Sequence, residues 1–231
     1  MKTYGSATYT SKNVSEANQI TLGSLTLGTI SGSTTGSLAS DYSLDTTAAM
    51  VSGTITARSI TAATAAAPTK VYDGTTTAVV SGGSIAALAG EVVSLSAAAT
   101  ANFSNKNVGT SKAVTTAYTL SGTDADNYNL VQASGLTANI TPKTLTASFI
   151  GSNKVYDAGT SATVTGNSSD VIGSDVVTYS QSAAFTNKNV GTGKTVTATG
   201  IGISGTDAAN YNLQSTTATT TANVTAKAAS V

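Results

Sequence analysis

Hydrophobic residues along this chain alternate with polar ones in short runs and do not return every three or four positions. In "KAVTTAYTL", Val114, Thr116, Tyr118 and Leu120 fall on one parity, the period of a half-buried strand. In the phrase that closes the unit, Leu136, Ala138 and Ile140 share a face, as do Thr220, Ala222 and Val224 later in the chain. "VYDGTTTAVV" and "EVVSLSAAATANF" supply further strand candidates between Gly-rich turns. No segment carries a sustained helical stripe with caps. The run "KTVTATGIGI" breaks the alternation: Val196 and Ala198 lie on one parity, Ile201 and Ile203 on the other. A β-bulge at Thr199 and Gly200 restores the register, and glycine suits that place.

The same phrases occur twice in the same order. "KVYDG" begins at Lys70 and "KVYDA" at Lys154; "FSNKNVGTSK" at Phe103 returns as "FTNKNVGTGK" at Phe185; "SGTDADNYNL" at Ser121 returns as "SGTDAANYNL" at Ser204. Lys70 to Lys154 is 84 residues, Phe103 to Phe185 is 82 and Tyr128 to Tyr211 is 83. A period this long exceeds a β-helix rung and matches a small domain. An altered copy precedes the two: "ATYTSKNV" at Ala7 parallels "ANFSNKNV", "SDYSL" at Ser40 takes the place of "DNYNL", and "TITARSIT" at Thr54 that of "NITPKTLT". That copy has a possible "KTYG" start at Lys2 and lacks about thirty residues before the "SKNV" phrase.

The expected architecture is all-β, with small antiparallel Ig-like β-sandwich modules end to end and β-grasp-like modules as the alternative. The divisions are a partial or variant unit over 1–57, a first full repeat over 58–142 and a second over 143–231, each burying its own core.

Composition narrows the function classes. Charge is sparse and balanced, 11 Lys+Arg against 11 Asp+Glu, without the clustered cations that nucleic-acid binding requires. No apolar run is long enough to insert in a membrane, and "MKTYGSATYT" lacks a signal-peptide core, so an export signal is expected elsewhere or already removed. Cysteine, histidine and tryptophan are absent, which removes disulfides, thiolate zinc sites and histidine-based catalysis. Thr, Ser, Ala, Gly and Asn dominate, a composition that reads as an extracellular all-β protein.

"KVYDGTT", "NKNVGT", "SGTDAxNYNL" and "ANITPKTLT", in that order, resemble the YDG-type repeat, a relative of glycine-rich, MBG-like repeats in very large secreted bacterial adhesins resembling filamentous haemagglutinin. The resemblance covers residues 70–142 and 154–226; residues 154–158 depart by ending in Ala where Gly is expected, and 1–57 match only in their later phrases. It implies two-partner or similar secretion, a place in a repetitive stalk at the bacterial cell surface, neighbouring repeats as partners, and no catalytic residue.

One loop offers candidate chemistry. In "GTDADNYN", Asp124, Asp126, Asn127 and Asn129 are hard oxygen ligands of the kind calcium takes, and the second copy offers Asp207, Asn210 and Asn212, with Ala209 replacing Asp126. The competing reading is an Asx-type turn that delivers Tyr128 and Tyr211 to the core. A Lys–Asn isopeptide, from Lys106 or Lys188 to Asn127 or Asn210, requires those groups buried together with an acid. "NKNVG" reads as a turn or, less simply, a ligand loop. Asn13, Asn102, Asn139, Asn167 and Asn223 open N-x-S/T sequons. No cofactor beyond that calcium is expected. A non-catalytic structural spacer is the leading expectation. Its alternative is a self-associating fibre or biofilm-matrix module that exchanges strands at the incomplete first unit.

Overall fold

The computed structural model describes residues 7–23, 42–43, 50–96 and 100–229. The proposed "KTYG" start, and all of "SDYSL" but Tyr42 and Ser43, lie outside the described residues. The chain is all-β: strands are joined by turns, and the only helical pieces among the described residues are two single 3-10 turns, Ala125–Asn127 and Ala208–Asn210. No helix among the described residues is long and apolar enough to cross a membrane.

The first repeat builds a four-stranded sheet in the order Lys70–Val71, Thr137–Thr141, Gly109–Thr116, Ala101–Phe103. The second repeats it as Lys154–Val155, Thr217–Thr225, Gly191–Ser204, Thr178–Phe185. The long ladders are antiparallel, as the alternation predicts. In both sheets, however, the short opening strand joins the closing strand in parallel, so the sheets are mixed. Alternation became burial: Val114, Tyr118, Ala138, Ile140, Ala222 and Val224 are buried while their in-between neighbours face outward or sit half-covered.

A bulge is present one residue past the expected Thr199 and Gly200. On Gly191–Ser204, Gly202 faces Ser180 and Thr199 faces Ser182, so two residues, Gly200 and Ile201, oppose Gln181 alone. Gly200 takes φ +62°, and the kink turns Ile201 inward, where it is buried. A second bulge, not foreseen, sits at the start of each long strand: Lys112 and Gly109 face Ala138 and Ile140, Lys194 and Gly191 face Ala222 and Val224. The extra residue is left-handed in both, Ser111 at φ 48° and Gly193 at φ 59°. The sequon asparagines Asn139 and Asn223 accept its N–H, at 2.8 and 2.7 Å.

"KVYDG" is a lysine-tied turn. Lys70 Nζ donates to the carbonyls of Thr75 and Thr77, both at 2.9 Å, and sits 2.7 Å from Asp73. Asp73 accepts the Thr75 N–H in an Asx turn, and Gly74 closes it at φ +77°. Lys154 and Asp157 repeat the arrangement, but Ala158 stands at the glycine position with φ 66°. A Cβ in the left-handed region is strained, so Ala158→Gly is expected to stabilise the chain by about 0.5–1 kcal/mol. Gly74→Ala should destabilise it, since its Cβ would also meet Ile172 Cγ2 at 2.9 Å. Denaturant midpoints of the two variants check both signs.

The chain packs as two compact units. One comprises Met1–Ala65, Ser81–Ala99 and Thr116–Ser134; the other comprises Ala66–Val80, Thr100–Thr115 and Gly135–Val231. In the first, Ala7–Tyr9, Gln19–Leu22 and Met50–Ser52 form an antiparallel sheet, and Arg58–Thr61 pairs in parallel with Tyr128–Val131. In the second there are two apolar clusters. One lies wholly within the second repeat, around Phe149, Phe185, Val196, Ile201 and Val224. The other gathers Tyr72, Phe103, Val114 and Ile140 with Leu145 and Tyr211, so residues on both sides of position 142 share it. Lys143–Leu145 carries the chain into that cluster by pairing in parallel with Tyr211–Leu213.

Candidate functional site

The strongest polar constellation lies where one repeat meets the next, and it occurs once in each compact unit. In the second unit its centre is Asp175, whose side chain is 5% exposed. Asp175 Oδ1 accepts from Lys106 Nζ at 2.9 Å, and Oδ2 accepts from the hydroxyls of Tyr72 and Tyr211, both at 2.7 Å. The two tyrosine rings meet edge to face with centroids 5.5 Å apart. Tyr211 also accepts the N–H of Ile172 at 2.8 Å, so its hydroxyl is satisfied on both sides. One carboxylate thus joins Lys106 and Tyr72 of the first repeat to Tyr211 of the second.

Beside it, Asp207 lies 3.8 Å from Lys106 and accepts the Val176 N–H at 2.9 Å, while its own N–H donates to the Val176 carbonyl. Asn210, 4% exposed, accepts the backbone N–H of Val108 at 2.9 Å and points its amide at Asn107 Oδ1 at 3.4 Å. The 3-10 turn Ala208–Asn210 aims these side chains, and Tyr211 begins the next strand. On the facing side, Asn105 turns the "NKNV" loop by accepting the Asn107 N–H at 3.0 Å, which presents Lys106 and Val108 outward.

The first unit contains the same junction with equivalent residues. Lys12 Nζ donates to Asp124 at 2.7 Å and lies 3.8 Å from Glu91. Val14 donates its N–H to Asn127 at 2.9 Å, and Asn127 donates to Asn13 at 3.2 Å. Asp124 accepts the Val92 N–H at 2.9 Å, and Tyr128 donates to Glu91 while accepting from Leu88 N–H. Glu91 thus takes the place of Asp175, one period earlier.

The junctions take in most of the candidate calcium ligands. Asp124, Asn127, Asp207 and Asn210 accept protein donors, whereas Asp126, Asn129 and Asn212 are exposed and take no part in the junctions. Among the described residues, no three His, Cys, Asp or Glu side chains group as metal ligands would. Of the isopeptide candidates, Lys106 is ion-paired with Asp175 and Asp207, and Asn210 with Val108 and Asn107 is its neighbour in the same junction. Sequence reasoning missed Glu91 and Asp175. The signal was available: "EVVS" and "DVVT" place an acid before the same two valines 84 residues apart.

The junction perturbs its titratable groups. Burial alone raises the Asp175 carboxyl, but Lys106, Tyr211 and Tyr72 together outweigh it and hold the group below the ordinary 3.8. Lys12 and the Val92 N–H depress Asp124, and the Asp73 and Asp157 carboxyls are lowered by their lysines and turn N–H donors, against burial. Burial, reinforced by Asp175, pushes the Tyr211 phenol up to about 12. A depressed carboxyl contributes stability above its unfolded value that is lost as pH falls through its folded value. A raised phenol contributes stability below its unfolded value that is lost as pH rises through its folded value. The melting temperature should therefore be flat near neutrality, fall below about pH 4 and fall again above about pH 10. A Tyr211→Phe variant should flatten the alkaline limb, which scanning calorimetry across pH checks.

The sequence profile of the YDG domain matches residues 56–135 and again residues 141–228, while no curated protein and no solved structure matches the chain. With two copies covering most of its length, the chain belongs to the YDG domain family.

Proposed function

We propose that the chain is a run of structural repeats in the stalk of a secreted bacterial surface adhesin of the filamentous haemagglutinin type, and that it works without catalysis. Its place is outside the cell or on the bacterial surface, reached by two-partner or similar secretion, and its partners are neighbouring repeats. One observation carries the reading: the same Lys-Asn-Val edge holds the same acidic, Asn-Tyr-bearing loop in both compact units. A chain that rebuilds one joint at each repeat gains length with copy number while fixing each repeat on its neighbour. The densest cluster of buried polar groups among the described residues is spent on that joint.

Small-angle scattering at several concentrations, with calcium and with chelator, tests this. A compact particle of this length has a radius of gyration of ~17 Å. A value well above that, independent of concentration and of chelator, is expected for the stalk. A compact particle would overturn it, growth with concentration would replace it with the self-associating matrix module, and a chelator-sensitive profile would return the acidic loop to calcium.

A further inference from the structure

The Lys-Asn-Val edge occurs a third time, at residues 188–190, and there nothing among the described residues faces it. In the two junctions the edge lysine is ion-paired and the edge valine N–H is bonded to an asparagine. Lys188, Asn189 and Val190 are all exposed, Val190 at 55%, and neither the Lys188 ammonium nor the Val190 N–H has a partner among the described residues. The loop is nonetheless already shaped: Asn187 accepts the Asn189 N–H at 3.1 Å and is held by Lys194, as Asn105 accepts the Asn107 N–H and is held by Lys112. Tyr156 completes the parallel. Its counterpart Tyr72 is 2% exposed and bonded to Asp175, whereas Tyr156 is half-buried and its hydroxyl has no partner among the described residues.

We infer that Tyr156, Lys188 and the Val190 N–H form a preformed socket for one further YDG repeat following in the chain. The repeat would be recognised by an acid before paired valines and by an Asp-x-x-Asn-Tyr turn. The lysine and valine chemistry follows both filled junctions, and the tyrosine pairing follows the one around Asp175. The acid takes the Lys188 ammonium and the Tyr156 hydroxyl, the asparagine carbonyl takes the Val190 N–H, and the incoming tyrosine packs edge-on against Tyr156. Charge complementarity favours this occupant, because one cation and two unpaired donors meet a loop that offers two carboxylates and an amide oxygen. Glu91 and Asp175 both serve as the acid, so either length is accepted. A second copy of the chain fits less well, since its two described loops of this kind already hold their own Lys12 and Lys106. The inference rests on reading the chain as part of a tandem array, and it names what the array's next joint requires.

Amide hydrogen exchange by NMR tests it on the full chain and on the chain with residues 144–228 repeated after Lys227. In the original chain, Val14 and Val108 N–H should be protected and Val190 N–H should exchange freely. In the extended chain, Val190 exchange should slow by roughly tenfold, the protection one net hydrogen bond confers. Asn210→Ala made only in the added copy should return Val190 to fast exchange while Val108 stays slow. Equal exchange at Val190 in both chains would overturn the inference, as would slowing that the Asn210→Ala change leaves intact. An added copy that stays unfolded also counts against it, because the same repeat folds against Lys106. Scattering separates the two ideas: a rod without Val190 protection leaves the stalk and removes the socket, and a compact particle with protection does the reverse.

Discussion

Gly205→Ala is expected to cost the chain at least about 3 kcal/mol, a large share of a small domain's stability. Gly205 holds φ +120°, a conformation open in practice to glycine alone, and an added Cβ would lie 2.3 Å from the Val176 carbonyl oxygen and 3.1 Å from its carbon. The atoms it meets are backbone, so no rotamer change relieves the clash. The close approach exists because Asp207 and Val176 exchange bonds, N–H to carbonyl in one direction and N–H to carboxylate in the other. Pushing the two segments apart breaks both bonds and swings Asn210 and Tyr211 away from the first repeat. Gly122 is the same device in the first unit, with φ +117° and a Cβ position 2.2 Å from the Val92 carbonyl. Its alanine variant should be comparably damaged. Urea denaturation measures both; a loss under 1 kcal/mol at either site would show that the turn can open without harm.

Asp175→Ala is the second large effect, on the order of 3 kcal/mol. The change removes the acceptor for two tyrosine hydroxyls and leaves Tyr72, 2% exposed, with a buried donor that water cannot reach. Two companion variants separate a joint from a generic buried polar group. Asp175→Glu should recover most of the loss, because Glu91 accepts the equivalent hydroxyl, that of Tyr128, one period earlier. Tyr72→Phe should cost far less in the Asp175→Ala background than alone, since the hydroxyl it deletes has already lost its partner. Calorimetric unfolding of the single and double variants gives the coupling. Additive losses would mean that the tyrosine and the aspartate do not act through one another.

Much of the local structure could be read from the chain. Alternation located the long strands and their inward faces at Val114, Ala138, Ile140 and Val224, because a pleated strand has a fixed period of two, although the first of them ends at Thr116, short of Tyr118. One surplus residue located the bulge beside Gly200, because a slipped register would otherwise expose every following apolar side chain. The second bulge is not legible in the sequence, because it is present in both copies and a comparison of copies reveals only what differs. Ser111 hides it further, being a residue type that gives no sign of a left-handed backbone.

The acidic loop shows the limit of such reading. Asp124, Asn127, Asp207 and Asn210 stood out as polar residues at fixed spacing, and spacing alone allows a metal loop, a turn or a contact. Nothing local distinguishes these, since the partners Lys12, Val14, Lys106 and Val108 lie about a hundred residues away in sequence.

The sequence by itself determined the class and the copy number: all-β from the period of its apolar positions, and repetition from phrases 84 residues apart. Only the tertiary structure decided what the phrases are for. Strand period and turn chemistry are written in neighbouring residues, whereas a joint between repeats is a long-range pairing of side chains. Burying Asp175, Asn210 and Tyr72 is offset by the hydrogen bonds and ion pair they make across the joint, and those partners meet only in the folded chain.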